Sequence, residues 1–170
     1  MLAGLLCWGC KQTDVTQVLD RAETCMAERP DSSLYLLRTL DKRHISGSLR
    51  KARYALLYSQ ALDKNYIDVD NDSLIRVAVD YYKGHGTSHE KALAYFYLGR
   101  VYDNAGDETR ATEAFVEAET HALDTDDHYI CGLIYSYLGN LYFSQYSFDE
   151  ALAMYDKSEK CYAQAGQLRN

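Results

Sequence analysis

Proline is almost missing from this sequence: Pro30 is the single one in 170 residues, and glycine occurs ten times. Proline breaks helices and glycine loosens them, so a chain this poor in both can run long helices with few interruptions. Basic charge is short as well. Lys and Arg number 18 against 25 Asp and Glu, the net charge is −7, and no basic cluster is longer than the stretch Asp41 to His44. A phosphate backbone needs a positive face, so nucleic acid is not expected as a direct partner. No segment reaches the roughly 20 apolar residues of a membrane span. The sequence also has no Gly-x-Ser-x-Gly elbow, no Gly-x-x-x-x-Gly-Lys phosphate loop and no dinucleotide fingerprint. Carboxylate pairs such as those in "FDEAL" fit solvated helix faces. No enzyme and no cofactor are expected. Hydrophobic residues make up 47% and charged residues 25%, the balance of a single soluble domain with a real core. Sixteen tyrosines stand against four phenylalanines and one tryptophan. That excess suits half-buried rings whose hydroxyls reach water or a partner.

Five cysteines are present, and two of them form "CWGC" at positions 7–10. A thioredoxin-type pair needs a strand before it and a helix after it, but an apolar run precedes this pair and "KQTDVTQ" follows. A zinc site needs two more ligands at comparable spacing, whereas Cys25, Cys131 and Cys161 stand alone in helical segments. "MLAGLLCW", then the small Gly9, Cys10 and polar sequence, resembles a bacterial lipoprotein signal. The resemblance implies that Cys10 is lipidated and becomes the new N-terminus while Cys7 is discarded. It makes residues 1–10 a signal and 11–15 a linker. It also places the chain at the cell envelope, facing periplasm or surface, with the membrane met only through the lipid. A frayed apolar N-terminus on a cytoplasmic chain is the alternative. The other three cysteines are odd in number and lie at helical apolar positions, where free cysteine acts as a small hydrophobe.

From residue 16 onward, helix-period segments alternate with short polar joints. The segments are "TQVLDRAETCMAER", "SLYLLRTLDK", "GSLRKARYALLYSQALDKNY", "NDSLIRVAVDYYKG", "HEKALAYFYLGRVYDNAG", "DETRATEAFVEAETHAL", "DHYICGLIYSYLGNLYFSQ" and "SFDEALAMYDKSEKCYAQAG". They predict eight helices in four antiparallel pairs over residues 16–165, with no strand. Pro30 opens the second helix, and Asp31 to Ser33 are expected to supply its capping oxygens.

Three stretches superpose at a step of 40 residues. Ala55, Tyr95 and Tyr135 align, as do Tyr58, Leu98 and Leu138; Ser59, Gly99 and Gly139; and Leu62, Tyr102 and Tyr142. A tiny residue at one position lets two helices cross closely despite glycine's cost in a helix. Ala111 and Ala151 follow twelve residues later as small partners on the second helices. Phe115 and Tyr155, four further on, are expected to fill the space between pairs.

"YFYLGRVYDNAGDETRATEAFVEA" and "YSYLGNLYFSQYSFDEALAMYDKS" resemble tetratricopeptide repeats. The resemblance is specific over residues 92–165, looser over 50–84 and only helical-pair-like over 16–44. The step of 40 exceeds the family's usual 34, and Leu123 and Ala163 stand where a closing proline is common. The resemblance implies a right-handed α-solenoid. The whole chain is also similar to envelope lipoproteins and regulators that continue into further repeats. "QLRN" (residues 167–170) reads as the start of another helix, and residues 166–170 as the head of a truncated one.

Two motifs carry metal-like spacing. Asp68, Asp70 and Asp72 alternate as in a calcium loop, but Ser73 and Val79 occupy the glycine and glutamate places. An acidic turn capping the helix from Ser73 is expected instead. In "GHGTSHEK", His85 is expected in a loop, and Thr87 with Glu90 fits a capping box better than His85 with His89 fits a metal. His121 and His128 flank another joint and are expected to be solvated. No metal site is expected.

In stacked helical pairs the first helices line an inner groove. The family's groove positions fall on Leu93, Phe96, Tyr97, Arg100 and Asn104 of one repeat and on Leu133, Ser136, Tyr137, Asn140 and Ser144 of the next. Aromatic anchors with an arginine and amides suit a peptide or helix partner, although the same tyrosines also suit helix packing. Phe96 and Ser136 stand where the family's carboxylate clamp wants lysine, so that clamp is not expected. The expected function is an envelope-anchored protein-interaction scaffold. The rivals are the sensory or assembly arm of a longer membrane regulator, and a glycan-binding lipoprotein.

Overall fold

Short polar residues set where the helices begin. The computed structural model describes residues 14–167, so Cys7, Cys10, the residues 11–13 of the expected linker and residues 168–170 lie outside the described residues. Among the described residues there are eight helices: α1 (Val15–Cys25), α2 (Pro30–Arg38), α3 (Ser48–Lys64), α4 (Ser73–His85), α5 (Ser88–Asn104), α6 (Glu108–Ala122), α7 (His128–Ser144) and α8 (Phe148–Gln167). A 3-10 turn, Lys42–His44, joins α2 to α3, and no strand occurs among the described residues. Asp14, Asp107 and Asp127 accept the first free N–H groups of α1, α6 and α7. Thr87 and Glu90 form the reciprocal capping box at α5 that their spacing predicts.

Two capping expectations are corrected. Pro30 does occupy the first turn of α2, but Asp31 to Ser33 lie inside that helix, and the residue before it, Arg29, makes no side-chain cap. At α4 the cap comes from Asn71 Oδ1, which accepts from the Ser73 N–H at 3.0 Å, while Asp72 turns to α5. His85 is also not in a loop: it ends α4 with its ring stacked on Tyr81 at 4.7 Å.

The 40-residue step extends to the turns between paired helices. Tyr66, Gly106 and Tyr146 all adopt left-handed backbone, with φ of 57°, 73° and 62°. The next N–H reaches back five residues each time: Ile67 to Leu62 O at 3.0 Å, Asp107 to Tyr102 O at 2.9 Å and Ser147 to Tyr142 O at 2.9 Å. This is one helix-ending motif used three times. Glycine takes that conformation freely; tyrosine does not.

Helices pack most extensively as α5 with α6 and α7 with α8, and the pairs follow one another through α2–α3, α4–α5 and α6–α7 contacts. First helices also touch in sequence, α1 to α3 to α5 to α7, and no comparable series joins the second helices among the described residues. The chain is therefore an all-α solenoid of four antiparallel pairs, with first helices on the inner wall. α3 separates two cores. Tyr54, Leu57, Ala61 and Leu62 pack with α1 and α2, while Ala52, Ala55 and Leu56 belong to the core that runs on to α7.

The tiny residues sit where the crossings are closest. A Cβ at Gly99 would lie 2.6 Å from the Phe115 ring, and one at Gly139 would lie 2.6 Å from Tyr155. Gly132 repeats the contact a further two turns along α7, against Tyr162 at 2.6 Å. Ala111, Phe115 and Ala151 are buried, and Tyr155 stays 36% exposed while its hydroxyl donates to Asn140. Ser59, the third member of the glycine series, is half-buried and lines a crevice with Leu62, Val101 and Asn104.

Candidate functional site

The first helices curve around a recess of about 430 Å³. Its floor is apolar: Leu56 and Leu57 from α3, Leu93 from α5, and Ile130 and Leu133 from α7, with Tyr97 at the base. Its rim is charged. Arg53 on α3 reaches back to α1, where it donates to Glu23 at 2.6 Å and Asp20 at 2.9 Å. His89 lies 3.5 Å from Asp127, which ties the start of α5 to the start of α7. Lys64, at the end of α3, sits 5.9 Å from the centre of the Tyr129 ring on α7. Among the described residues Lys64 has no acidic partner within 4 Å, whereas Arg53 is paired.

A second recess of about 300 Å³ adjoins the first and shares Tyr97, Lys64, Tyr129 and Leu133. Arg100 organises its wall. Its guanidinium donates to Asp63 at 2.8 Å and Asp103 at 2.7 Å, and lies 4.4 Å from the Tyr137 ring centre. One side chain on α5 thus joins α3 and α7. Burial works against the charge on Arg100, but the Asp63 and Asp103 carboxylates outweigh it and hold its pKa above the ordinary value. Burial dominates at Asp103 and raises its carboxyl despite Arg100. The Tyr97 hydroxyl, deep in the wall and bonded to Gln60, is pushed far up by burial and stays neutral. Tyr66 hangs at the mouth of this second recess, 94% exposed on its left-handed backbone.

The ten residues expected in the groove separate into three groups. Leu93, Tyr97 and Leu133 line the larger recess, and Arg100 and Tyr137 line the adjoining one. Phe96 touches the second recess but is 1% exposed, wedged among Tyr97, Phe115 and Tyr137 with ring centres 5.1–5.6 Å away. It is a core ring, not a contact. Asn104 donates to Val69 O at 3.3 Å behind the wall. Ser136, Asn140 and Ser144 turn away from both recesses. Ser136 bonds Ser158 at 2.7 Å, Asn140 accepts from Tyr155 at 2.9 Å, and Ser144 donates to Glu108 at 3.2 Å. The sequence reading missed the contribution of α1 and α3, which supply Glu23, Arg53, Gln60 and Lys64. No local pattern marks them, because they meet the α5 and α7 residues only through the stacking of the first helices.

Little in this arrangement is reactive. Burial pushes the Cys131 thiol up to about 11 and raises Cys161, which is hydrogen-bonded to it, so neither is a ready thiolate. Among the described residues no group of His, Cys, Asp and Glu is placed to hold a metal ion. No described helix is long and apolar enough to cross a membrane.

No protein-family model matches the chain, and no curated protein matches it. Among solved structures, "MamA RS-1 ArsTM double mutant" is similar over 89% of this chain and 96% of that one, at 11% identity and a TM-score of 0.47. A likeness that distant transfers no role.

Proposed function

We propose that the chain is a protein-interaction scaffold, held at the cell envelope through Cys10, that seats a segment of a partner protein in the recess between α3, α5 and α7. The observation that carries this reading is the recess itself. Its apolar floor and charged rim sit on rigid helices, and its volume of about 430 Å³ is in the range of pockets that bury a ligand's side chains. Leu93 and Leu133, half-buried over the core residues Leu56 and Ile130, offer seats for apolar side chains, as in recognition of an amphipathic helix or extended segment. Lys64 stands ready for an acidic residue of the partner, because the other cations of the wall are already paired. Pre-formed walls favour affinity, since Arg100, Asp63 and Tyr137 are ordered before any partner arrives.

The test is selection of peptides from a displayed library on the full chain, followed by dissociation constants for variants. Leu93→Arg with Leu133→Arg is expected to weaken the selected peptides at least tenfold, and Lys64→Glu to weaken those carrying an acidic residue. Leu123→Arg, on an exposed position outside the recess, should change affinity less than twofold. Equal binding to the inner variants would overturn the reading. Acyl labelling in cells, abolished by Cys10→Ser, tests the anchor separately.

A further inference from the structure

The charge of this acidic chain is not evenly spread. Six of its 18 Lys and Arg fall between residues 38 and 53, where Asp41 is the one acidic residue. The fold gathers five of them at a corner formed by the end of α2, the 3-10 turn and the start of α3, while the sixth, Arg53, turns to α1 and is paired at the recess. Because α4 runs antiparallel to α3, its last turn brings Lys83 to the same end. Arg38, Lys42, Arg43, Arg50, Lys51 and Lys83 are all exposed. Arg43 is held by Asp41 at 2.7 Å, whereas the other five have no acidic partner within 4 Å among the described residues.

This clustering works against the fold. The positive end of a helix dipole favours acidic residues in the first turn. α2, α5, α6 and α8 follow that rule with Asp31, Glu90, Glu108 and Asp149. α1, α4 and α7 have no acidic residue there either, but each starts at an aspartate, Asp14, Asp72 or Asp127. α3 has neither, starting at Gly47 with no side-chain cap, and Arg50 and Lys51 stand in its opening turns. A local arrangement that costs stability without structural return marks a functional surface. Leu49, 48% exposed beside Arg50, adds an apolar contact to the charged one.

We propose that this basic corner docks on the anionic headgroups of a lipid bilayer. Clusters of four to eight Lys and Arg are the size that such surfaces attract, at about fivefold in affinity per residue. The chain also joins α1 at this same end, since α1 is antiparallel to α2. A lipid on Cys10, four residues before Asp14 and so at most about 14 Å away along the chain, would reach the bilayer on the side where the corner lies. The docking itself does not depend on that lipid.

The experiment uses the full chain carrying Cys10→Ser, so that no acyl group contributes, and co-sedimentation with vesicles. Vesicles of equal parts phosphatidylglycerol and phosphatidylcholine should retain the protein at low salt and lose it as salt rises. Pure phosphatidylcholine should not retain it. R38Q/K42Q/R50Q/K51Q should weaken binding roughly 100-fold or more with an unchanged circular-dichroism spectrum, and R110Q/K157Q/K160Q by less than twofold. Equal retention on neutral vesicles, or an equal loss from the second set, overturns the proposal. Binding of a single- or double-stranded DNA oligonucleotide as tight as that of the charged vesicles overturns lipid as the occupant.

Discussion

At Gly99 one methyl group separates two opposed effects. Replacing a helical glycine with alanine gains about 1 kcal/mol of helix propensity, but overpacking a closed core costs about 1–3 kcal/mol. Phe115 cannot yield, because it is fully buried against Phe96 and Tyr137. Gly99→Ala is therefore expected to destabilise the protein, by up to about 2 kcal/mol. At Gly139 the opposing ring is the partly exposed Tyr155, which can swing outward, so Gly139→Ala should be close to neutral. Gly84 in α4 has nothing within 4 Å of a built Cβ, and Gly84→Ala should stabilise by about 0.5–1 kcal/mol. Urea unfolding of the three variants checks the order; Gly99→Ala as stable as Gly84→Ala would contradict the packing. Tyr66 carries a second prediction. Left-handed backbone costs a tyrosine about 1–2 kcal/mol, and relieving it outweighs the chain entropy that glycine adds. Tyr66→Gly should therefore raise stability by about 0.5–1 kcal/mol while weakening recess-bound peptides. A fall in stability, or unchanged binding, would show that the ring has another role.

Between elements, the Asp72 cluster links α4 to α5. Asp72 accepts from Tyr102 at 2.8 Å and from Arg76 at 3.1 Å, and those bonds, the tyrosine's first, lower its carboxyl below the ordinary value. A lowered carboxyl stabilises the fold above about pH 4, its unfolded range, and that contribution disappears as pH falls through the folded value. Asp103 acts in the opposite sense, because burial raises it and its protonation in acid favours the fold. Asp72→Asn should cost up to about 1 kcal/mol at pH 6, since the group is partly exposed, and progressively less as acid protonates the folded carboxyl. Urea midpoints across that range would measure it; a gap that persists in acid would contradict the assignment. The elements themselves were largely readable in the sequence. The eight segments, the Thr87–Glu90 box and a close crossing at Gly99 follow from period, capping chemistry and the 40-residue step; that the Phe115 ring lies over Gly99 within the pair, where Ala111 was expected, does not. Gly132 against Tyr162 was not readable that way, because the equivalent positions one repeat earlier are Ala92 and Ala122. Repeat comparison sees what recurs. The groove was only partly readable for a geometric reason: Ser136 lies about 60° round α7 from Leu133, enough to turn it from the recess to α8.

Across the whole molecule, curvature makes the candidate site. First helices touch in series, so residues from α1 to α7 converge although they lie far apart in the chain, as Lys64 and Tyr129 do. Convergence of this kind leaves no local sequence signal, which is why Glu23, Arg53 and Lys64 emerge only from the fold. The recess faces inward and the basic corner lies at the helix ends of the first two pairs, so partner binding and surface docking would use different parts of the fold. The methyl resonances of the full chain, followed while a selected peptide is added, examine the inner wall directly. Leu56, Leu57, Leu93, Ile130 and Leu133 should shift together, with Leu123 and Leu152 unmoved. Shifts centred on Leu123 and Leu152, with the five inner methyls still, would place binding on the outer surface and contradict the recess.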